Sequence, residues 1–281
     1  MIMDRRALLA GIAATAAAGA VQRPAFARDA AELSGWRPLF GERQAGEWTI
    51  WQEGTGLGDA HRAVQFRSGG LIHMLGPAFN GPAKASFGHI ATREACANYH
   101  LQLQYKWGAR RFAPRTLQRR NSGILYHMGP ERDRLFPDCV EYQVQEGDVG
   151  SAVTVNTRAV QGILLGGTPL WPNFFPGLPT VYKEPVVAGD LARQWLPHSG
   201  PYERLGGWNT LDLYAFDDQA AHLVNGRIVN TLFKIINRNG QPLTSGRIAL
   251  EFEAAEITFR NIRIRNLSAE DIGRIRAGTG D

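Results

Sequence analysis

Apolar residues along this chain recur mainly at every second position. YHLQLQYKW sets Tyr99, Leu101, Leu103, Tyr105 and Trp107 on one side, against His100, Gln102, Gln104 and Lys106. CVEYQVQEGD behaves alike from Val140 to Gln145: Val140, Tyr142 and Val144 oppose Glu141, Gln143 and Gln145. A period of two belongs to a β-strand with one face in a core and the other turned outward. AVQF and LIHML flank Arg67-Ser68-Gly69-Gly70 and read as a hairpin. NSGILYHM, SAVTVN, TLDLYAF, AHLV, RIVNTLF, RIALEF and EITFRNIRIRNL have the same strand character. Asn225-Gly226, between AHLV and RIVN, is the dipeptide that a tight hairpin turn selects. In EITFRNIRIR the apolar phase slips between Phe259 and Ile262, which predicts a bulge near Arg260 or Asn261. Only the end looks helical, with Ser268 capping a turn from Ala269 to Ile275.

Many short strands with turn signals between them predict an all-β antiparallel sandwich, a jelly roll, and no repeat of fixed period is present. Two segments depart from the pattern. GARRFAPRTLQRR carries Arg110, Arg111, Arg115, Arg119 and Arg120 with no acid among them. Residues 162–207 form a stretch rich in Pro, Gly and aromatics, with five prolines between Pro169 and Pro185. A connection of that length is expected to serve as a lid or binding loop.

The first 27 residues are expected to play no part in the fold. Arg5 and Arg6 precede an Ala-rich run from Ala7 to Val21 and an A-x-A cleavage signal, Ala25-Phe26-Ala27. That layout predicts a twin-arginine-type signal peptide over residues 1–27, with a mature chain beginning near Arg28. The expected location is periplasmic or secreted. The run is short and weakly hydrophobic, so no stable membrane span is expected after leader cleavage. The formal charge of +5 falls once Asp4, Arg5, Arg6 and Arg23 are set aside, leaving 28 basic and 25 acidic residues. So mild an excess gives no support to a nucleic-acid partner. Cys96 and Cys139 are the two cysteines; sequence alone does not show whether they pair.

Candidate chemistry begins with the polar stripe of CVEYQVQEGD. It holds Glu141, Gln143 and Gln145 and runs into Glu146 and Asp148, without the Thr and Lys of an ordinary solvent face. In NSGILYHM the same alternation puts Asn121, Gly123, Leu125 and His127 together. If the two strands are neighbours, His127, Asn121, Glu141 and Gln143 share one surface. Arg119 and Arg120, just before Asn121, are candidates for holding an oxyanion. Trp171, Phe174, Phe175 and Tyr182 on the long loop suit stacking against sugar rings, and His222 is a further binding candidate. No tight metal-ligand spacing appears, which assigns no cofactor and leaves a divalent metal open. G-x-S-x-G, P-loop and dinucleotide signatures are absent, so acyl transfer, NTP hydrolysis and NAD chemistry lack support.

GWRPLFGERQAGEW, NSGILYHM, EYQVQEGD, GGWNTLDL, HLVNGRIVN and GRIALEFEAAEITFRNIRIRNL follow one another in that order. This ordered set resembles the bacterial 3-keto-disaccharide hydrolase domain, also described as a 3-keto-glucoside 1,2-lyase/hydratase domain, over Gly35 to Leu267. The resemblance implies one domain at 35–267, after a short segment at 28–34 and before a tail at 268–281. It also implies a concanavalin A-like jelly roll with long loops over a concave face. The implied activity is cleavage of a small-molecule 3-keto-glycoside by proton abstraction at C2, elimination and hydration. Glu141 and His127 are then the candidates for the acid and base roles, in either order. Asn121, Gln143, Arg119, Trp171 and His222 are the substrate-binding candidates, and Glu146 and Asp148 suit sugar hydroxyls or a cation. Two alternatives stay open: a non-catalytic, lectin-like carbohydrate-binding domain, and a laminarinase-like glycoside hydrolase. The laminarinase-type strand carries E-x-D-x-x-E, and Glu141, Gln143 and Glu146 occupy that spacing with an amide in place of the middle acid.

Overall fold

The computed structural model describes residues 35–40, 46–162, 164–165, 168–169 and 182–277. They build an all-β jelly roll of two antiparallel sheets. The front sheet runs in the order Val186–Ala188, Leu191–Leu196, Ala152–Val155, Cys139–Gln145, Asn121–Met128, Ser245–Glu253, Phe87–Thr92, Trp48–Gln52, Gly56–Leu57. The back sheet runs Arg158–Gln161, Arg227–Ile236, Gln219–Val224, Asn209–Phe216, Tyr99–Arg111, Ala255–Asn266, Leu71–Met74, Val64–Arg67, with Arg37–Pro38 also pairing Ala255–Asn266. Neighbours far apart in sequence, such as Asn121–Met128 beside Ser245–Glu253, are the crossovers of a jelly roll.

The alternating residues sort as expected. Tyr99, Leu101, Leu103, Tyr105 and Trp107 meet Val140, Tyr142, Val144, Ile124 and Tyr126 in one core between the sheets. Removing this much aromatic and aliphatic surface from water is the main force holding the sheets face to face. Val224 pairs with Arg227 across Asn225 and Gly226, whose φ values of 51° and 78° are those of a tight hairpin turn. The predicted bulge is present: register shifts between Arg260 and Arg263, and Asn261 has φ 52°. The Val64–Arg67 and Leu71–Met74 strands pair as the predicted hairpin. The helix extends over Ala269–Ala277. Asp271 N–H donates to Ser268 Oγ (3.1 Å) while Ser268 N–H donates back to Asp271 Oδ2 (2.9 Å), a reciprocal cap. Ile272 and Ile275 pack with Phe216 and Leu267, so the described part of the tail is docked on the sandwich.

The stretch at 162–207 is only partly a loop. Val186–Ala188 and Leu191–Leu196 pair with each other, and Leu191–Leu196 pairs with Ala152–Val155, adding two strands to the front sheet. The prolines and glycines around them hid this hairpin. Trp171, Phe174 and Phe175 lie outside the described residues. Cys96 and Cys139 are both free thiols, one half-buried and one buried. No helix among the described residues is long and apolar enough to cross a membrane.

Candidate active site

The outer face of the front sheet carries the polar stripe. Cys139–Gln145 and Asn121–Met128 are antiparallel neighbours with Glu141 opposite Leu125, Gln143 opposite Gly123 and Gln145 opposite Asn121. On the other flank of Asn121–Met128, Glu253 lies opposite Asn121. Ser245–Glu253 therefore contributes Glu251 and Glu253 to the same face, while Ile248, Leu250 and Phe252 fill the core.

Gly123 is the pivot of this arrangement. A Cβ there would stand 2.9 Å from Glu141 Oε1 and 3.0 Å from Glu251 Oε2. Two carboxyl groups from different strands thus lean over one glycine, with these oxygens no more than about 6 Å apart. Any other residue at 123 would push them away. Glu141 is 6% exposed and Glu251 is sealed. Glu141 Oε1 and both oxygens of Glu251 have no hydrogen-bond partner among the described residues. A carboxylate buried without donors is far costlier than a neutral carboxyl, so the proton is retained. Burial, reinforced by the nearby Glu253, pushes Glu141 up to about 8. Burial and the neighbouring Glu141 and Glu253 push Glu251 well above the usual carboxylate range.

Glu253 is treated differently. Arg115 Nη1 donates to its Oε1 at 2.9 Å, and Asn121 Nδ2 donates to its Oε2. Burial still raises its pKa, while Arg115 and the Asn121 bond pull it back. Asn121 is itself oriented, because its Oδ1 accepts from Gln143 Nε2 at 2.9 Å. A cavity of about 290 Å³ opens over the group, lined by Glu141, Glu253, Asn121, Arg115, Arg193 and Trp195, among others. Arg193 stacks its guanidinium 4.9 Å from the Phe136 ring, and its buried Nε has no partner among the described residues. Beyond Glu141 the face turns apolar, with Leu125, Met128, Cys139 and Ala249 packed under Phe136 and Leu191. That wall keeps water from the carboxyls on one side.

The family model described as "3-keto-alpha-glucoside-1,2-lyase-like domain" matches residues 29–265. The chain belongs to that family. A 3-keto-alpha-glucoside-1,2-lyase-like domain is a carbohydrate-active, hydrolase-like unit, and the glutamate cavity is its candidate site. No curated protein matches the chain. Among solved structures it is similar to a Parabacteroides distasonis protein described as a glycosyl hydrolase (16% identity, 83% of this chain and 99% of that one, TM-score 0.46). It is also similar to the Bacillus licheniformis β-glucanase (10% identity, 83% and 97%, TM-score 0.45). A third is the Bacillus subtilis carbohydrate-binding module CBM66 (12% identity, 83% and 96%, TM-score 0.41).

Of the residues singled out in the sequence of this lyase-like domain, Glu141, Asn121 and Gln143 come together in the cavity. Gln145 of the same stripe also lines it, while His127, His222, Glu146, Asp148 and Arg119 do not. His127 sits at φ 49° where the register against Ser245–Glu253 shifts, so the two-residue period that would have carried it beside Leu125 is broken. It is buried, neither ring nitrogen has a partner among the described residues, and it is not in the cavity lining. Burial lowers its pKa to about 4, which keeps the ring neutral. Gly246 packs on its backbone, where a Cβ would meet His127 Cα at 2.5 Å. His222 lies between the sheets: Nδ1 donates to Gly150 O (3.0 Å), Nε2 accepts from Tyr126 Oη (3.1 Å), and the ring stacks on Tyr142. Glu146 is held by Arg120 and Arg111 and Asp148 by Ser151 and His198, away from the cavity lining. Arg119 is exposed. Trp171 is outside the described residues.

Glu251, Glu253, Arg115, Arg193 and Trp195 are the site residues that sequence reasoning passed over. RIALEFE carries the same signal as EYQVQ, an alternation that sets Ala249, Glu251 and Glu253 opposite Ile248, Leu250 and Phe252. Arg115 was one of five arginines in a single run, and nothing local distinguishes it. Arg193 and Trp195 were hidden inside the segment read as loop.

Proposed function

We propose that this domain cleaves the glycosidic bond of 3-keto-sugars by elimination and hydration. The C3 carbonyl acidifies the proton on C2. A base removes that proton, the C1–O bond breaks as a C1=C2 double bond forms, and the departing oxygen takes a proton from an acid. Water then adds across the double bond. Glu141 is the acid, since it holds its proton up to about pH 8 and borders the cavity. Glu253, paired with Arg115, is the base. Arg193, with an unspent buried donor, and Arg115 face the oxygen on which enolate charge develops. Asn121 and Gln143 orient sugar hydroxyls, and Trp195 offers a ring face at the cavity edge.

The observation that carries this reading is that Glu141, whose Oε1 has no partner among the described residues, lies beside an arginine-paired Glu253 in one cavity. Two carboxyls in one cavity with unlike surroundings, one short of donors and one paired with an arginine, suit the division of acid and base roles. The glucanase alternative asked Glu146 to converge with Glu141, and Glu146 is tied to Arg120 instead. Among the described residues no group of three His, Cys, Asp or Glu side chains is arranged to hold a metal.

The direct experiment incubates the mature protein with 3-keto-trehalose or 3-keto-lactose beside the unoxidised sugars. Selective cleavage of the keto-sugars supports the proposal. No cleavage of either kind favours the lectin-like reading, and equal cleavage of both favours an ordinary glycosidase. Export is part of the same proposal, and N-terminal sequencing of the secreted protein is expected to start near Arg28.

A further inference from the structure

The back sheet has a cavity of its own, about 610 Å³, on the face turned away from the core. Leu101, Leu103 and Ile264 point inward, so their neighbours Gln102, Gln104, Arg263 and Arg265 point outward. The bulge at Asn261 brings two consecutive donors to one acceptor: Arg260 Nε (2.8 Å) and Asn261 Nδ2 (3.2 Å) both donate to Gln104 Oε1. One register step along, Arg263 donates to Gln102 Oε1 from Nε (3.0 Å) and Nη2 (2.6 Å). The Gln102 amide cannot flip away, because its Nε2 donates to Asp212, which also bonds His100.

Each guanidinium is therefore aimed by a neutral amide rather than by direct pairing with a carboxylate among the described residues. Among the described residues no Asp or Glu lines the cavity, and Arg37 adds a second guanidinium to its rim. Trp36 stands in the same wall, half-buried, with Arg263 4.5 Å from its ring. Trp208 is matched with Arg260 at 3.8 Å just outside it. Fixed guanidiniums recognise carboxylates by paired N–H bonds, and indole faces take the apolar side of a pyranose ring. The combination of the two is specific: a neutral sugar leaves the arginines unanswered, and a small anion makes no use of the half-buried indole.

We propose that this back-sheet groove binds an acidic oligosaccharide, with a uronate carboxylate on Arg263 and Arg37 and a sugar ring against Trp36. It is separate from the glutamate cavity, which lies on the opposite sheet, and does not rest on the reaction assigned there. Its role is to hold the protein on an acidic glycan while the front sheet works.

Calorimetric titration of the mature protein with trigalacturonate, galactotriose and inorganic phosphate tests the assignment. Trigalacturonate is expected to bind, with affinity falling as salt rises. Arg263→Gln and Trp36→Ala are each expected to weaken it by about tenfold or more, and Glu141→Gln to leave it unchanged. Arg37→Gln, at an exposed position, is the check should a variant lose its thermal transition. Trigalacturonate binding no tighter than galactotriose overturns the proposal, as does phosphate binding equally well. Survival of affinity in the back-sheet variants, or its loss in Glu141→Gln, overturns it too.

Discussion

Glu251 and Glu256 stand five residues apart on consecutive strands, and the turn between them sends one to each sheet. Both are buried glutamates beside a glycine whose missing side chain makes room for a carboxyl group, Gly123 for Glu251 and Gly108 for Glu256. Their surroundings are opposite. Glu256 accepts from the Ala109 and Arg110 N–H groups, both at 3.0 Å, and lies 2.7 Å from His73 Nε2. Burial pulls its pKa upward, but the Arg110 N–H, His73 and the Ala109 N–H outweigh it and hold the carboxyl below its ordinary value. Glu251 has no partner for either oxygen among the described residues and goes the other way. The same side chain is a structural anion on the back sheet and a stored proton on the front. Saturating a buried carboxylate with donors stabilises a fold, while starving it costs stability and leaves reactivity.

Breaking the starved cluster is expected to have the largest effect. Glu141→Gln keeps the shape and removes the transferable proton, so turnover of a 3-keto-disaccharide should fall by at least ~100-fold; a steady-state assay checks this. Gly123→Ala fills the shared space, and overpacking of this kind costs about 1–3 kcal/mol. Denaturant unfolding should report that loss together with reduced turnover.

The pH dependence of stability sharpens the contrast. The folded chain keeps the Glu141 proton up to about pH 8, whereas the unfolded chain gives it up near 4.5, so this group makes stability fall as pH rises between those values. His89, His127 and His222 act in the opposite sense: burial lowers each to about 4 from 6.5, so stability is lost as pH falls through that window. Between pH 6.5 and 8 the carboxyl effect acts without the histidines, and Glu141→Gln should remove its own share of the decline there, about 2 kcal/mol, leaving that of Glu251. Thermal unfolding at several pH values measures it.

On the saturated side, Glu256→Gln should cost about 1–3 kcal/mol of stability and leave turnover unchanged, because it disturbs bonded donors far from the cavity. The smallest effect is expected for Glu146→Gln. Its pairs with Arg120 and Arg111 lie near the surface, which limits the loss to under about 1 kcal/mol.

The strands were legible because burial on one face imposes a period of two, and no tertiary information is needed to see it. Glu141, Asn121 and Gln143 followed from that period and from the pairing of two adjacent segments. His127 did not, because a bulge shifts the phase at the residue where the prediction needed it kept. The partners of Glu141 were harder to find for a topological reason. Glu251 and Glu253 arrive by a crossover from more than a hundred residues away, and only strand order brings them beside Gly123. Arg193 depended on a hairpin whose flanking prolines made it look like loop.

The central claim is that Glu141 and Glu251 are held protonated by lack of partners. Carbon-13 NMR of the protein labelled at the Glu side-chain carboxyl, followed across pH, reads this directly. A resonance titrating near 8 and absent from Glu141→Gln is the expected result. If every glutamate titrates below about 5.5, as ordinary carboxylates do, the account is contradicted.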